Sequence, residues 1–94
     1  MVLEIAVFQA KEGEAEQFLA AYQQVRDEIA TTPGCRSMRM TRGVESPDRF
    51  VLLVEWETLE AHLETFRGSE RFTRWRAGIG PHFSSAEVQH VTDV

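Results

Sequence analysis

Residues Phe50–Phe83 read FVLLVEWETLEAHLETFRGSERFTRWRAGIGPHF and decide the fold of this chain. An apolar run ends at Trp56, a helix that carries His62 follows it, and a second short helix begins after Ser69. Tryptophans, phenylalanines and a histidine therefore gather near one strand end. Two interpretations are open at this point: the segment forms the centre of a small core, or it lines an aromatic pocket.

Two predicted strands carry apolar side chains on both faces. Val2–Ala10 forms the first strand, because Val, Ile and Phe dominate it. Alternation along this strand gives two apolar sets, Leu3, Ile5 and Val7 on one face and Val2, Ala6 and Phe8 on the other. The strand Phe50–Glu57 repeats the pattern, with Phe50, Leu52, Val54 and Trp56 on one face and Val51 and Leu53 on the other.

The remaining periodicities complete an order of strand, helix, two strands, two helices and a last strand. One helical stripe runs from Glu14 to Thr31 and stops at Pro33-Gly34, since proline cannot continue a helix. Thr58 and Ser69 are the predicted N-caps of the later helices. The other predicted elements are the strands Cys35–Gly43 and Glu87–Thr92 and a turn at Glu45–Asp48. This order predicts an α+β fold, the ferredoxin-like split βαβ arrangement with a four-stranded antiparallel sheet and helices on one face.

The apolar residues on the second face of the sheet predict a partner. A sheet that is covered on one face only should alternate apolar with polar residues, and the first and third strands do not. The chain has no further helix to cover that face. A second copy of the sheet is the simplest cover, so we predict a homodimer.

Length, charge and cysteine content limit the class of protein. Ninety-four residues make a single domain, 1–94, and a net charge of −5 without a basic stripe argues against a nucleic-acid partner. No apolar stretch is long enough to span a membrane. The apolar N-terminal run contains Glu4, so it does not have the pattern of a signal peptide. Cys35 is the only cysteine, so no disulfide can form within the chain. We expect a cytoplasmic protein with no membrane partner.

Few side chains suggest chemistry. The three histidines lie on different elements without metal-ligand spacing, so no metal site is predicted. Cys35 and the serines lack the motifs that mark a nucleophile. His62 is the favoured general base, because it borders an apolar helix stripe where an aromatic wall can tune its pKa. The alternative is a histidine at the edge of the core with no chemical role.

Aromatic and basic residues supply the other candidates. Core packing is the default role of the large aromatic residues, but a flat ligand stacked among them would explain their number. The residues in question are Trp56, Phe66, Phe72 and Trp75. Arg76 is a candidate partner for an anionic oxygen of the ligand, whereas the arginines around it are expected to pair with glutamates on the surface. His90, on the last strand, is a candidate ligand contact, although a hydrogen bond at the dimer interface is the favoured interpretation.

The whole pattern resembles the antibiotic biosynthesis monooxygenase (ABM) family of dimeric α+β barrels. The residues that carry the resemblance are Gly13 and Phe18, Pro33-Gly34-Cys35, the strand Val51–Trp56, Glu60-Ala61-His62, Ser69-Glu70 with Phe72, and His90. They extend over almost the whole chain. The resemblance implies a homodimer, a final strand that crosses to the partner, and a pocket between sheet and helices in each subunit.

The same resemblance implies a function. Characterised members oxygenate quinols or polycyclic phenols without flavin, haem or metal, because an ionised hydroquinone is electron-rich enough to react with oxygen itself. The expected function is a monooxygenase that needs no cofactor and acts on a small aromatic substrate, with His62 and Arg76 as catalytic residues. Two alternatives stay open: a non-catalytic ligand-binding or stress-associated dimer, and an isomerase of a small metabolite.

The haem-degrading branch of the family is not expected to include this chain. That branch uses an asparagine on the first strand and a histidine late in the second helical region. In this sequence those two positions are Ala6 and Arg76.

Overall fold

The computed structural model describes residues 1–94 as four strands with helices between them. The strands are β1 (Val2–Ala10), β2 (Cys35–Arg42), β3 (Arg49–Trp56) and β4 (Phe83–Val91). The helices are α1 (Ala15–Val25), α2 (Asp27–Ala30), a π-helix (Ala61–Phe66), α3 (Glu70–Ile79) and a 3₁₀ turn (Gly80–His82). No helix is long and apolar enough to cross a membrane.

The sheet has the order β2-β3-β1-β4, and every neighbouring pair is antiparallel. The helices lie on one face only, so the predicted ferredoxin-like α+β fold is confirmed. In the strand register, Glu4 of β1 pairs with Val54 of β3 and with His90 of β4. The final strand, which the resemblance implied would cross to a partner, pairs here with β1 of its own chain.

The helix-covered face of the sheet is the hydrophobic core. Trp56 and Phe50 are fully buried there, with Leu52 and Val54 between them. The Phe18 ring of α1 stacks on Phe50 with 4.8 Å between ring centroids. The sequence pattern assigned these β3 side chains to one face, and the structure confirms that placement. Each fully buried side chain of this size contributes about 1.5–3 kcal/mol through the hydrophobic effect.

The other face of the sheet carries apolar side chains without a covering layer. They are all partly exposed, and they are Leu3, Ile5 and Val7 of β1 and Val51 and Leu53 of β3. The predicted two-faced apolar pattern is therefore real. What covers this face stays a prediction.

Three elements differ from the predictions by more than one residue or in helix type. The single helix predicted over Glu14–Thr31 is divided at Arg26 into α1 and α2. The segment after Thr58 is a π-helix rather than an α-helix. β4 begins at Phe83 and not at Glu87, because the 3₁₀ turn leads directly into the strand. The next two residues, Ser84 and Ser85, are polar and exposed, as is common on an edge strand.

Gly34 is required where the chain passes from α2 to β2. Its φ of +94° is unfavourable for residues with a side chain. A Cβ atom at this position would lie 2.6 Å from the Cβ of Ala61. Glu57 also donates a backbone hydrogen bond of 2.8 Å to the Gly34 carbonyl. Gly34 therefore allows the π-helix to approach the end of the sheet.

Candidate active site between the sheet and the helices

The π-helix brings its functional side chains to one side. Thr58 caps it as predicted, since its Oγ1 accepts a hydrogen bond of 3.1 Å from the Ala61 amide. The Arg67 amide donates to the His62 carbonyl at 3.0 Å, a bond between residues five apart. Such a turn is wider than an α-helical turn, and π-helical turns are frequent at functional sites. His62, Phe66 and Arg67 all line the same cavity as a result.

A cavity of about 180 Å³ lies between the sheet and the helices. The strands contribute three lining residues from β1, one from β3 and three from β4, which are Glu4, Ala6, Phe8, Leu52, Phe83, Ala86 and Val88. The cavity exists because Ala6 and Ala86 are small while the aromatic residues across from them are large. Val88 is 36% exposed, so the cavity opens along β4. The lining is mostly apolar, and Glu4 and His62 are its buried polar groups.

Three of the four predicted aromatic residues line the cavity. They are Phe66, Phe72 and Trp75. The Phe66 and Phe72 rings meet edge to face with 5.6 Å between centroids. Trp56 is fully buried and does not line the cavity. Its indole stacks on the His62 ring, with 5.1 Å between the ring centroids and 10° between the ring planes. The structure thus divides the segment Phe50–Phe83 between core and pocket.

His62 lies deeper than its sequence position suggested, with only 2% of its surface exposed. Its Nδ1 is 2.7 Å from Nε2 of His90. Its Nε2 is 3.4 Å from Oε1 of Glu4, which is longer than an ordinary hydrogen bond. Burial, the charge of Arg67 and the nearness of His90 lower the pKa of His62 to about 3. The imidazole is therefore neutral at pH 7, and its contact with Glu4 is not an ion pair.

Glu4 is the site residue that sequence reasoning missed. It is 4% exposed, and its Oε1 accepts a hydrogen bond of 2.9 Å from the Trp56 indole Nε1. Burial raises the pKa of the Glu4 carboxyl, against the opposing effects of the Trp56 hydrogen bond and the Arg67 charge. The signal was present in the sequence, since Glu4 shares the period-2 face of Ala6 and Phe8. A carboxyl on the core face of a strand is rare without a partner or a function.

His90 lies on the helix-covered side of the sheet. It is the register partner of Glu4 and hydrogen-bonds His62 within the same chain. The hydrogen bond at a dimer interface, which was the favoured interpretation of His90, stays a prediction. His90 does not line the cavity but contacts His62, which does. Burial and the charge of Arg67 lower the pKa of His90.

The arginines of this region form two groups. Arg74 binds both carboxylate oxygens of Glu28, at 2.6 and 3.0 Å, and Arg71 bonds Thr31 at 2.6 Å. These two hold α3 to α2, through partners other than the nearby glutamates expected from the sequence. Arg67 and Arg76 instead lie over the Phe72 ring, 5.8 and 5.6 Å from its centroid, and line the cavity. The cavity thus has exposed cations on its solvent side and a buried carboxyl at its inner end.

Comparison with known proteins identifies the family of this fold and cavity. The family model described as antibiotic biosynthesis monooxygenase matches residues 1–78. The chain belongs to this family. Among curated proteins it is 36% identical to YczJ of Bacillus subtilis, an uncharacterized protein, and the match covers the full length of both chains. It is also 29% identical to a 42.8 kDa protein of the whiE locus of Streptomyces coelicolor, over 70% of this chain and 17% of that protein.

Solved structures of ABM proteins share the whole architecture. A Bordetella bronchiseptica protein assigned to antibiotic biosynthesis monooxygenases superposes with a TM-score of 0.93 and 33% identity, covering 99% of this chain and 96% of that one. SnoaB of Streptomyces nogalater, a cofactor-independent oxygenase solved as a point mutant, superposes with a TM-score of 0.84 over 98% and 91% of the two chains. At 15% identity, SnoaB supports the ABM fold alone.

Three features of the cavity of this ABM protein concern haem binding: two lining residues, the two histidines and the volume. Ala6 and Arg76, the two positions at which the resemblance implied a difference from the haem-degrading branch, both line the cavity. His62 and His90 are hydrogen-bonded to each other. A haem would also far exceed a cavity of about 180 Å³.

Proposed function

We propose that this ABM protein is a cofactor-independent monooxygenase that oxidises a phenol or quinol with molecular oxygen. The observation that carries the proposal is an aromatic cavity whose inner end holds a carboxyl and an imidazole, Glu4 and His62. An apolar wall favours a flat ring, and the buried polar pair offers a site for its hydroxyl group. Membership of the family and the fold shared with SnoaB, a cofactor-independent oxygenase, agree with this function.

The proposed reaction balances without an added reductant. A phenol with hydrogen at the para carbon reacts with O₂ to give a quinone and water. One oxygen atom becomes the new carbonyl, the other leaves as water, and the substrate supplies all the electrons. The protein has to ionise the hydroxyl group, exclude water and stabilise the anion. The buried inner end ionises the hydroxyl group, and the aromatic wall excludes water. The cations Arg76 and Arg67 stabilise the anion.

The size of the cavity limits how much substrate it encloses. An engineered cavity of about 150 Å³ holds one benzene ring, whereas sites for drug-sized ligands range from about 300 to 1,000 Å³. At about 180 Å³, this cavity encloses a single ring. A second or third ring would extend through the opening beside Val88. We therefore propose phenols of one or two rings as the best substrates, with polycyclic phenols bound only in part.

Oxygen consumption by metal-free protein tests this function. The panel is 1-naphthol, 1,5-dihydroxynaphthalene and 9-hydroxyanthracene, which all carry hydrogen at the para carbon, each measured against its own autoxidation rate. We expect turnover above autoxidation with the wild type and a loss of turnover in His62→Ala. Leu63→Ala, on the exposed side of the same π-helix, is the matched control and should keep the activity. If no compound exceeds its autoxidation rate and His62→Ala binds the panel as the wild type does, the monooxygenase is excluded.

A non-catalytic ligand-binding dimer is the second candidate. The observation that favours it is the low pKa of His62, about 3, which makes this imidazole a weak base at pH 7. Such a protein would bind the same phenols without consuming oxygen. An isomerase of a small phosphorylated metabolite has less support, because such a ligand is polar and the cavity lining is mostly apolar.

We also propose that two copies pair through the open faces of their sheets. The support is the set of partly exposed apolar side chains on β1 and β3, which no helix covers. Sheets pack face to face about 10 Å apart in such arrangements. The cavity lies on the opposite face, so each copy would keep its own site.

A further inference from the structure

Two groups at the inner end of the cavity compete for the role of proton acceptor. Glu4 Oε1 is occupied by the Trp56 indole, and Oε2 has no hydrogen-bond partner. Every fully buried polar side-chain atom in this protein has a partner, so Oε2 must reach open space. Glu4 lines the cavity, so that space is where a substrate would bind. By the same reasoning, His62 Nε2 also reaches the cavity.

The surroundings of the two groups make them unequal as bases. His62 is held neutral by burial and by the nearby charge of Arg67, with its pKa lowered to about 3. Burial raises the pKa of Glu4, which makes its carboxylate the stronger base. The other titratable groups that face Glu4 from neighbouring elements are His90 on β4, Arg67 after the π-helix and Cys35 on β2. Burial and the charge of Glu4 raise the pKa of the Cys35 thiol, so it stays uncharged at pH 7.

We infer that Glu4 is the catalytic base of the proposed oxygenation and that His62 is a positioning residue. This inference rests on the proposed function and changes the role that the sequence suggested for His62. The indole of Trp56 fixes Oε1 and directs Oε2 to the substrate hydroxyl. His90 fixes the His62 ring from the other side, at 2.7 Å, and Trp56 stacks on its face. An ionised Glu4 assigns the His62 proton to Nε2, so that Nδ1 accepts the proton of His90 Nε2.

The proton can be followed through the whole reaction. The O–H bond of the phenol breaks, its proton moves to Glu4 Oε2, and the electron pair stays on the substrate oxygen. The para carbon of the phenolate then bonds to O₂ and becomes a peroxide. The para carbon lies across the ring from Glu4, so the outer peroxide oxygen takes its proton from water at the cavity opening. The O–O bond breaks as the para carbon gives its own hydrogen, as a proton, to the departing hydroxide, which yields the quinone carbonyl and water. Glu4 releases the phenol proton to the hydroxide left by that first water and is ionised again.

Glu4→Gln is the decisive variant, because the amide keeps the shape and still accepts the Trp56 hydrogen bond through its oxygen. Glu12→Gln, an exposed loop position, is the matched control. Thermal unfolding of both establishes that they fold. With 1-naphthol as the probe, we expect Glu4→Gln to lower kcat/KM by about 10²–10⁴-fold, the usual effect of losing a general base. Glu12→Gln should keep the wild-type rate.

The pH profile separates the base from the positioning residue. In the wild type, kcat/KM should rise with pH through the pKa of Glu4, and this acidic limb should disappear in Glu4→Gln. His62→Gln should lower the rate but keep the limb, because Glu4 still titrates. An acidic limb that persists in Glu4→Gln and disappears in His62→Gln would overturn the inference and make His62 the base.

A measurement without turnover distinguishes failure of this inference from failure of the proposed function. Carbon-13 NMR of protein labelled at glutamate carboxyls identifies Glu4 by the signal missing from Glu4→Gln. Under anaerobic conditions, 1-naphthol should shift the Glu4 signal and its titration midpoint. If the signal shifts but no oxygen is consumed, Glu4 contacts the phenol and only the monooxygenase fails. If 1-naphthol is oxidised but the Glu4 signal does not respond, the role of Glu4 is wrong and the oxygenase stands.

Discussion

The indole of Trp56 donates a 2.9 Å hydrogen bond to the carboxyl of Glu4, across two neighbouring strands and inside the core. The pair explains how a carboxyl stays buried under the cavity. It also explains why Trp56 matters to the site without touching the cavity. The tryptophan fixes Glu4 with its edge and His62 with its face.

Trp56→Phe should therefore weaken both the fold and the site. Phenylalanine keeps most of the ring but leaves Glu4 Oε1 without its donor, and an unsatisfied buried polar group costs about 1–3 kcal/mol. The pKa of Glu4 should rise further, because the lost hydrogen bond favours the ionised form. Urea unfolding measures the first effect and carboxyl NMR the second. A variant as stable as the wild type, with an unchanged Glu4 titration, would show that this hydrogen bond is not formed in solution.

Acid should destabilise the protein through His62. Its pKa is 6.5 in the unfolded chain and about 3 in the fold, so between these values the unfolded state binds the extra proton. Stability is then complete above pH 6.5 and falls as the pH is lowered towards 3, by at most about 1.4 kcal/mol per pH unit. His90 acts in the same direction, while Glu4, with its raised pKa, acts in the opposite one. Urea unfolding at pH 7 and pH 5 should show a smaller loss for His62→Gln than for the wild type. An equal loss in the two proteins would contradict the buried neutral imidazole.

Gly34→Ala should displace the π-helix. The substitution combines an unfavourable positive φ with a Cβ only 2.6 Å from that of Ala61, so we expect a loss above the roughly 1–2 kcal/mol of strain alone. Gly13→Ala is the matched control, since Gly13 has a φ of +76° but open space around it. Thermal unfolding compares the two, and equal losses would mean that the contact with Ala61 relaxes easily. Phenol binding should weaken only in Gly34→Ala.

The two groups of arginines should respond differently to substitution. Arg76→Gln removes a cation that lines the cavity, so KM for an ionised phenol should rise while stability stays close to that of the wild type. Arg74→Gln loses the contact with Glu28 and should leave KM unchanged. Steady-state kinetics at two salt concentrations measures both variants. Equal KM values for Arg76→Gln and wild type would remove Arg76 from the site.

Leu53→Glu should separate the proposed dimer. The side chain lies on the open face of β3, where a second sheet would bury its charge. Light scattering should give the wild type twice the chain mass of 10.7 kDa and the variant a single chain mass. Thr73→Glu, on an exposed position of α3, is the control and should remain a dimer. A wild-type protein with the mass of one chain would exclude the pairing.

Regular alternation and helical periodicity made the fold predictable from the sequence. The positions of the site residues depend on a π-turn, which periodicity does not reveal. Alternation along β1 and β3 grouped their side chains by face correctly, because one buried face imposes a period of two. The π-turn was not predictable from periodicity, since the residues at Leu59, Leu63 and Phe66 also fit an α-helix. That turn is what directs His62 and Arg67 into the cavity.

Glu4 and His90 show what sequence alone missed. Glu4 stood out only as a charge in an apolar strand, and its meaning depends on Trp56, which is far away in the chain. The contact between His90 and His62 could be seen only once the register between β1 and β4 was known. Both cases concern contacts between distant residues, which local patterns do not encode.

The most direct test of the central claim is oxygen-isotope labelling. Metal-free protein is given 1-naphthol under ¹⁸O₂, and the quinone is analysed by mass spectrometry soon after quenching. We predict one ¹⁸O atom in the quinone carbonyl, with the other in water, at a rate above autoxidation that falls in Glu4→Gln. A quinone without ¹⁸O, or a rate equal to that of the protein-free control, would contradict a monooxygenase in this cavity.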